Sequence, residues 1–186
     1  MTDGTIGRFG AIDPSEGGKT LRSTANMNYH YDTTSGGQFF ANVYGQYYRL
    51  DLFTNFTFFL NDPVNGDGIQ QSDRRVMYGG DLGYKQQGNV LGLPSIGTVG
   101  FQTRVDNIHA RLGTHRTRVP IGTTADSDIL EASYAPFVKA EVQPASWMRL
   151  VGGLHAETFT FDVRNRCAAC ADQPAGRTSS GIVLPK

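Results

Sequence analysis

Across 186 residues, 17 Lys and Arg balance 17 Asp and Glu. A neutral chain has no general electrostatic attraction for nucleic acid, so no nucleic-acid partner is expected. Charged residues make up only 18%, while 23 residues are Gly and 11% are aromatic, a composition that suits turn-rich β structure and not helical bundles. No run of 18 apolar residues occurs, so a transmembrane helix is excluded.

From Thr20 to Phe161 the chain divides into about six segments of 10 to 15 residues, each alternating apolar with polar at period two. The first sets Leu21, Ala25, Met27, Tyr29 and Tyr31 against Arg22, Thr24, Asn26, Asn28 and His30. The second, Gly37 to Leu50, changes apolar parity near Tyr47 to Leu50, which predicts a bulge. The third opposes Val76, Tyr78, Gly80, Leu82 and Tyr84 to Arg75, Met77, Gly79, Asp81 and Lys85. The fourth opposes Val99, Phe101, Thr103 and Val105 to Gly100, Gln102, Arg104 and Asp106. The fifth carries Leu130, Ala132, Tyr134, Pro136, Val138, Ala140 and Val142 against Glu131, Ser133, Ala135, Phe137, Lys139 and Glu141. The sixth carries Met148, Leu150, Gly152, Leu154 and Ala156 against Arg149, Val151, Gly153, His155 and Glu157.

The fold class that follows is all-β: an antiparallel meander of about six long strands, an open fragment of a transmembrane β-barrel. Residues 1–186 form one partial β-barrel domain. A tilted strand of about 9 to 11 residues crosses a bilayer, and six strands are too few to close a wide lumen, so the chain is expected to be part of a larger protein.

Alternation alone also fits a soluble sandwich. Three features favour a barrel. Tight connections (Thr33 to Gly36, Pro144 to Ser146) and a moderate one (Gln86 to Gly97) alternate with long polar ones (Asp51 to Asp73, Gly113 to Asp128), as in outer-membrane barrels. Aromatic residues Tyr29, Tyr31, Phe39, Phe40, Tyr84, Phe101 and Trp147 gather near the tight turns, as an interfacial belt does. The polar side is rich in charge, which a water-filled lumen accepts and a packed interior does not. The lumen-facing residues are then Arg22, Arg75, Asp81, Arg104, Asp106, Glu131, Lys139, Arg149, His155 and Glu157. The tight turns face the periplasm. Gly7 to Lys19 and everything after Asp162 belong to external loops.

"GRFGAIDPSEGGKT" at Gly7 to Thr20 and "YRLDLFTNFTFFLNDPVNGDGIQQSDRRVMYGG" at Tyr48 to Gly80 resemble the barrel of proteobacterial TonB-dependent outer-membrane receptors. "VGGLHAETFTFDV" at Val151 to Val163 resembles a later rising strand of that family, and "SGIVLPK" at Ser180 to Lys186 the start of the next descending one. The family's barrel has 22 strands around a plug. The resemblance implies a transporter in the Gram-negative outer membrane, in contact with its lipid. It implies active uptake of a scarce small-molecule ligand, a ferric siderophore or similar iron chelate, driven by the TonB complex through a plug this chain does not supply. It marks no ligand-binding residue, no cofactor and no enzymatic role.

Several short motifs imitate chemistry. Cys167-Ala-Ala-Cys170 downstream of His155-Ala156-Glu157 imitates the ligand pattern of zinc deaminases. However, Arg166 stands where Pro is required and the spacer is strand-like, so a small disulfide in an external loop is expected. Asp62 to Gly68 departs from calcium-loop spacing, with Pro63 and Arg74 at ligand positions. Gly92 to Gly97 misses the nucleophile elbow by one residue, and Asn55-Phe56-Thr57 is a glycosylation sequon by spelling alone. His30, His109, His115 and His155 lack ligand spacing and read as solvated lumen or loop residues, with His109 and His115 close enough to an external loop to touch a ligand. No metal site follows. Two other architectures stay open: a β-sandwich that binds sugars or adhesion partners, and a small complete barrel of about eight strands.

Overall fold

The computed structural model describes Gly10, residues 12–170, Gln173 and residues 175–185. Gly7 to Phe9 of the expected external segment, and Lys186 of the tail, lie outside the described residues. Among the described residues there is no helix. Seven strands form: β1 (Gly17–Asp32), β2 (Gly37–Thr54), β3 (Ile69–Val90), β4 (Leu93–Arg116), β5 (Val119–Ala145), β6 (Met148–Asn165) and β7 (Gly176–Pro185). They make one antiparallel sheet in chain order, each strand paired with the next. The sheet is open, since β1 does not pair with β7. The all-β meander legible in the alternation is the observed fold, and the tail forms a seventh strand of 10 residues.

Antiparallel pairing puts residues of matching parity on one face across the whole sheet. The row Tyr31–Phe39–Tyr84–Val99–Val138–Leu154 and the row Ser23–Tyr47–Val76–Asn107–Leu130 bound an apolar face. Between these rows lie nine residues per strand, as Val76 to Tyr84 or Leu130 to Val138 illustrate, and no charged side chain of β1 to β5 points to that side. In β6 the band begins one row lower, because Asp162 stands beside Leu130 and pairs with Arg164 and Arg177. Leu82, Val138, Leu150 and Leu154 are 50–59% exposed on this face. A sandwich needs a second sheet over them; the described residues form only the one.

The strands outrun the alternation. β3, β4 and β5 contain 22, 24 and 27 residues, against the 10 to 15 expected. The backbone ladder does not depend on side-chain polarity, so pairing continues above the band, where both faces mix polar and apolar residues. Three expectations change as a result. The connection read as Asp51 to Asp73 contracts to residues 55–68. β1 begins at Gly17, inside the segment assigned to a loop, and β6 continues to Asn165, past Asp162. The parity change at Tyr47 to Leu50 is not a bulge: the registers of β2 with both neighbours run without a shift. Arg49 and Asp51 still occupy the apolar side there, but above the band. Register shifts occur instead at Leu112/Gly113, Thr114/His115 and Val142/Ala145.

Two hairpins are also tighter than expected. The moderate connection Gln86 to Gly97 is a two-residue turn at Leu91 (φ 52°) and Gly92 (φ 80°). The long loop Gly113 to Asp128 is a paired hairpin closed by Thr117 (φ 48°) and Arg118 (φ 68°). Positive φ at both central residues is the geometry that matches strand twist in two-residue hairpins, though Asn-Gly is its usual composition. Tertiary hydrogen bonds hold the unusual pair in place, as described below. The upper end of the sheet thus carries the residue 55–68 loop, the Thr117–Arg118 turn and the Cys167–Cys170 segment. The lower end carries the turns at Thr33–Gly36, Leu91–Gly92 and Ser146–Trp147.

Candidate functional site

The face opposite the apolar one bears the chemistry. Strand register places Arg22, Arg75, Asp81, Arg104, Asp106, Glu131, Lys139, Arg149, His155 and Glu157 on this one side. Near the lower end runs the row His30–Phe40–Gly83–Gly100–Phe137–His155. Phe40 leans over Gly83 and Phe137 over Gly100, so that a Cβ on either glycine would collide with the ring. Phe40 therefore belongs to the polar face and not to the aromatic belt assigned to it from the sequence. The belt on the apolar side holds Tyr29, Tyr31, Phe39, Tyr84 and Phe101, with the Phe39 and Tyr84 rings 4.6 Å apart. Tyr47 and Tyr78 stand near the upper edge of the band, outside the belt expected near the tight turns.

Higher on the polar face, amides and carboxylates form a ladder. Asn28 Nδ2 donates to Asn26 (2.7 Å), Asn26 Nδ2 to Asn42 (2.9 Å), and Asn42 Nδ2 to Asp81 (3.1 Å). The ionic groups pair mainly along their own strands, two residues apart. Arg104 Nε meets Asp106 at 2.6 Å, Arg75 Nη2 meets Asp73 at 2.6 Å, and Glu141 takes Lys139 at 2.7 Å together with Arg149 at 3.2 Å. Asp106 is 3% exposed. Arg104, Asp106 and Glu131 line a shallow depression with Phe159 and Phe161, whose rings stack at 6.4 Å. Arg22 lies over the Tyr48 ring at 5.2 Å. Such a surface offers donors, acceptors and both signs of charge to water or to a polar solute.

At the upper end a cap ties four segments together around His115, which is 1% exposed. His115 N–H donates to Gly68 O (2.9 Å), and its Nδ1 accepts Arg118 N–H (3.2 Å). The Phe53 ring meets it edge-on at 5.1 Å. Arg118 stacks over Phe53 and donates to Ser15 O (2.7 Å) and Glu16 O (2.8 Å). Asn55 closes the ring through Asp13 (2.8 Å) and Glu16 (2.9 Å). Hydrogen bonds from Ser15 and Asn55 hold the Asp13 carboxyl below its ordinary range. His115 is thus a buried structural residue and not the solvated one its loop position implied. His109 stands on the apolar-side face above the band, between Asp128 (2.8 Å) and Asp126 (3.7 Å).

In the 55–68 loop, Asp62 accepts the Val64 and Asn65 amides (both 2.9 Å), and Asp67 accepts those of Asn61 and Asp62. These carboxylates are engaged as turn caps. Phe56, Phe59, Leu60 and Val64 project from the same loop. Cys167 and Cys170 are joined in a disulfide, and Arg166 ties that segment to β5 through Asp126 O (2.8 Å) and Asp128 (3.0 Å). His155 lies ten strand residues below Asn165, roughly 33 Å along extended chain, so the deaminase-like motif is not assembled.

No protein-family model matches this chain, and no curated protein matches it either.

Proposed function

We propose that this chain is wall and external-loop structure of a TonB-dependent receptor in the outer membrane of a Gram-negative cell. It contributes to active uptake of a scarce ligand, with a ferric siderophore or similar iron chelate the best fit. The observation that carries the reading is the exposed, uncharged band of nine residues in each of β1 to β5, matched to the length that crosses a hydrocarbon core. In water such a face would cost about 25 cal/mol per Å² of apolar surface; against acyl chains it costs nothing. The ionic face then lines an aqueous lumen with Arg22, Arg75, Asp81, Arg104, Asp106, Glu131, Lys139, Arg149, His155 and Glu157. The open edges of β1 and β7 agree with this reading, because lipid cannot satisfy their backbone groups and further strands must. The phrases at Gly7 to Thr20 and Tyr48 to Gly80 that resemble these receptors supply the uptake role, which is non-enzymatic and depends on contact between TonB and a plug.

The experiment is site-directed labelling in membranes, with Cys167 and Cys170 replaced by Ser. Cysteines at Leu82, Val138 and Leu154 are expected to react only with a membrane-soluble maleimide, and those at Gln102, Glu131 and Lys139 with a water-soluble one. Equal reaction of both sets with the water-soluble reagent overturns the membrane reading. Iron-chelate uptake that persists at the wild-type rate after disruption of the gene overturns the transport reading alone.

A further inference from the structure

The charges of the apolar face all sit at one end of it. From the row Ala25–Gly45–Tyr78–Val105–Ala132 down to the lower turns, no Lys, Arg, Asp or Glu of β1 to β6 points to that side. Above the band the same side of β1 to β4 carries Lys19, Arg49, Arg74 and Arg111, with Asp51 as the one carboxylate.

Arg74 departs from the pairing rule seen elsewhere. Arg49, Arg75, Arg104 and Lys139 each have a carboxylate two residues away on their own strand. Arg74 has none on its side of β3 and faces Arg49 directly across β2 and β3, an arrangement of like charges that destabilises a sheet unless an anion joins them. Asp51 is already taken by Arg49 at 2.7 Å and by the Ser72 hydroxyl at 3.0 Å. Arg74 is exposed and makes no ion pair among the described residues, and Arg111 donates only to the Thr123 hydroxyl at 2.9 Å. At the same height Asp128 pairs with Arg166 and Asp162 with Arg164, while Asp126 stands opposite Arg111 in register and 3.7 Å from His109, so among the described residues Arg74 is the guanidinium of this face with no carboxylate beside it.

We infer that Arg49 and Arg74, flanked by Lys19 and Arg111, form a binding site for the phosphate groups of an outer-leaflet glycolipid. The inference rests on the outer-membrane reading above. The planar fork of Arg matches phosphate oxygens two at a time. The patch lies one row above the uncharged band, the height at which headgroup phosphates meet the hydrocarbon boundary. A site on the lipid side cannot serve a ligand passing through the lumen, which separates it from the transport path.

The test uses the natural polypeptide purified in detergent, with bisphosphorylated lipid A as probe and native mass spectrometry as readout. With about 1 kcal/mol per basic residue near a charged surface, retention is expected to fall roughly thirtyfold in R49Q/R74Q. It is expected to stay unchanged in K139Q/R149Q, which alters the polar face, and lipid A stripped of phosphate is expected to bind natural protein and R49Q/R74Q alike. Where the double variant does not assemble, Arg74→Gln alone carries the comparison. Equal retention of the phosphorylated lipid by natural protein and variant overturns the inference, and so does its full displacement by an equal concentration of inorganic phosphate. Failure of the natural protein to enter phospholipid vesicles overturns the outer-membrane reading and this one with it. Insertion without phosphate-dependent retention overturns this one alone.

Discussion

The Phe137 ring reaches over Gly100 on the neighbouring strand, and the absence of a Cβ there is what admits it. The same relation holds for Phe40 and Gly83, so two aromatic rings cover two adjacent glycines near the lower end of the polar face. Gly in a strand interior is otherwise unfavourable, and a cross-strand aromatic recovers the lost packing. Gly100→Ala is expected to displace Phe137 and cost about 1–3 kcal/mol, the usual range for overpacking. Phe137→Ala exposes the glycine and also destabilises. The double variant is expected to be more stable than the sum of the two, with a coupling of about 1 kcal/mol. Urea unfolding from vesicles measures all three; simple additivity would show that ring and glycine do not share one site.

Asp106 is almost fully covered, while its partner Arg104 is half exposed. Removing the exposed member strands the covered one. Arg104→Gln is therefore expected to cost about 1–3 kcal/mol, the penalty of an under-satisfied buried acceptor. Arg104→Gln combined with Asp106→Asn is expected to recover most of it. The same unfolding assay reads both, and a double variant no better than the single would mean that the ion pair is not what Arg104 supplies.

Period-two alternation reveals a face wherever the two sides meet different solvents, so Val76 to Tyr84 and Leu130 to Val138 show their faces in the sequence itself. Above the band polar and apolar residues mix on both sides, alternation loses its meaning, and the ladder from Asp51 to Thr54 and from Ile69 to Asp73 leaves no trace in the pattern. Thr117 and Arg118 lack the Asn-Gly signature of their turn because their conformation is held by His115 and the carbonyls of Ser15 and Glu16, partners about one hundred residues away in the case of Arg118. Clustering of aromatics near the strand ends is a coarser guide than parity: it draws Phe40 into the belt with Phe39, although adjacent strand residues lie on opposite faces and the register sets Phe40 against Gly83.

The Cys167–Cys170 disulfide closes a loop three residues apart in sequence. The entropy it removes from the unfolded chain is small for so short a loop, about 2 kcal/mol. Replacing both cysteines by Ser is thus expected to leave the sheet assembled and to lower global stability by no more than that amount. The local effect is larger in proportion, because Arg166 next to the bridge holds Asp128. The Arg166 amide, bonded to Asp126 O, is expected to lose hydrogen-exchange protection under reducing conditions while amides in the middle of β5 keep theirs. Unchanged protection at Arg166 would show that the segment is held without the bridge.

Asp62 provides a pH test at the outer loop. The Asn65 backbone amide, then the Asn65 side chain and the Val64 amide, hold its carboxyl below the ordinary value of 3.8. A depressed folded pKa means that the stabilisation is present above the unfolded pKa and is lost as pH falls through the folded one. Amide protection at Val64 and Asn65 is expected to be constant through neutral and mildly acid solution and to disappear only below pH 3.8. Asp62→Ala is expected to remove it at every pH. Loss of protection near neutrality in the natural protein would assign the turn to some other group.

Trp147 is the single tryptophan of the chain, 83% exposed in the turn between β5 and β6. That turn closes the lower end of the sheet, several residues below Val138 and Leu154. Indole prefers the boundary between headgroups and acyl chains, where its ring is in apolar surroundings and its N–H finds a partner. In vesicles, Trp147 emission is expected to shift to shorter wavelength than in buffer. Lipids brominated near the headgroup are expected to quench it more strongly than lipids brominated near the chain end. Because no other indole contributes, the quenching depth reports this turn alone. Strongest quenching from the chain ends would put the turn at the bilayer centre, and no quenching by either lipid would put it in water; each result contradicts a band that runs from Tyr84 and Val138 upward.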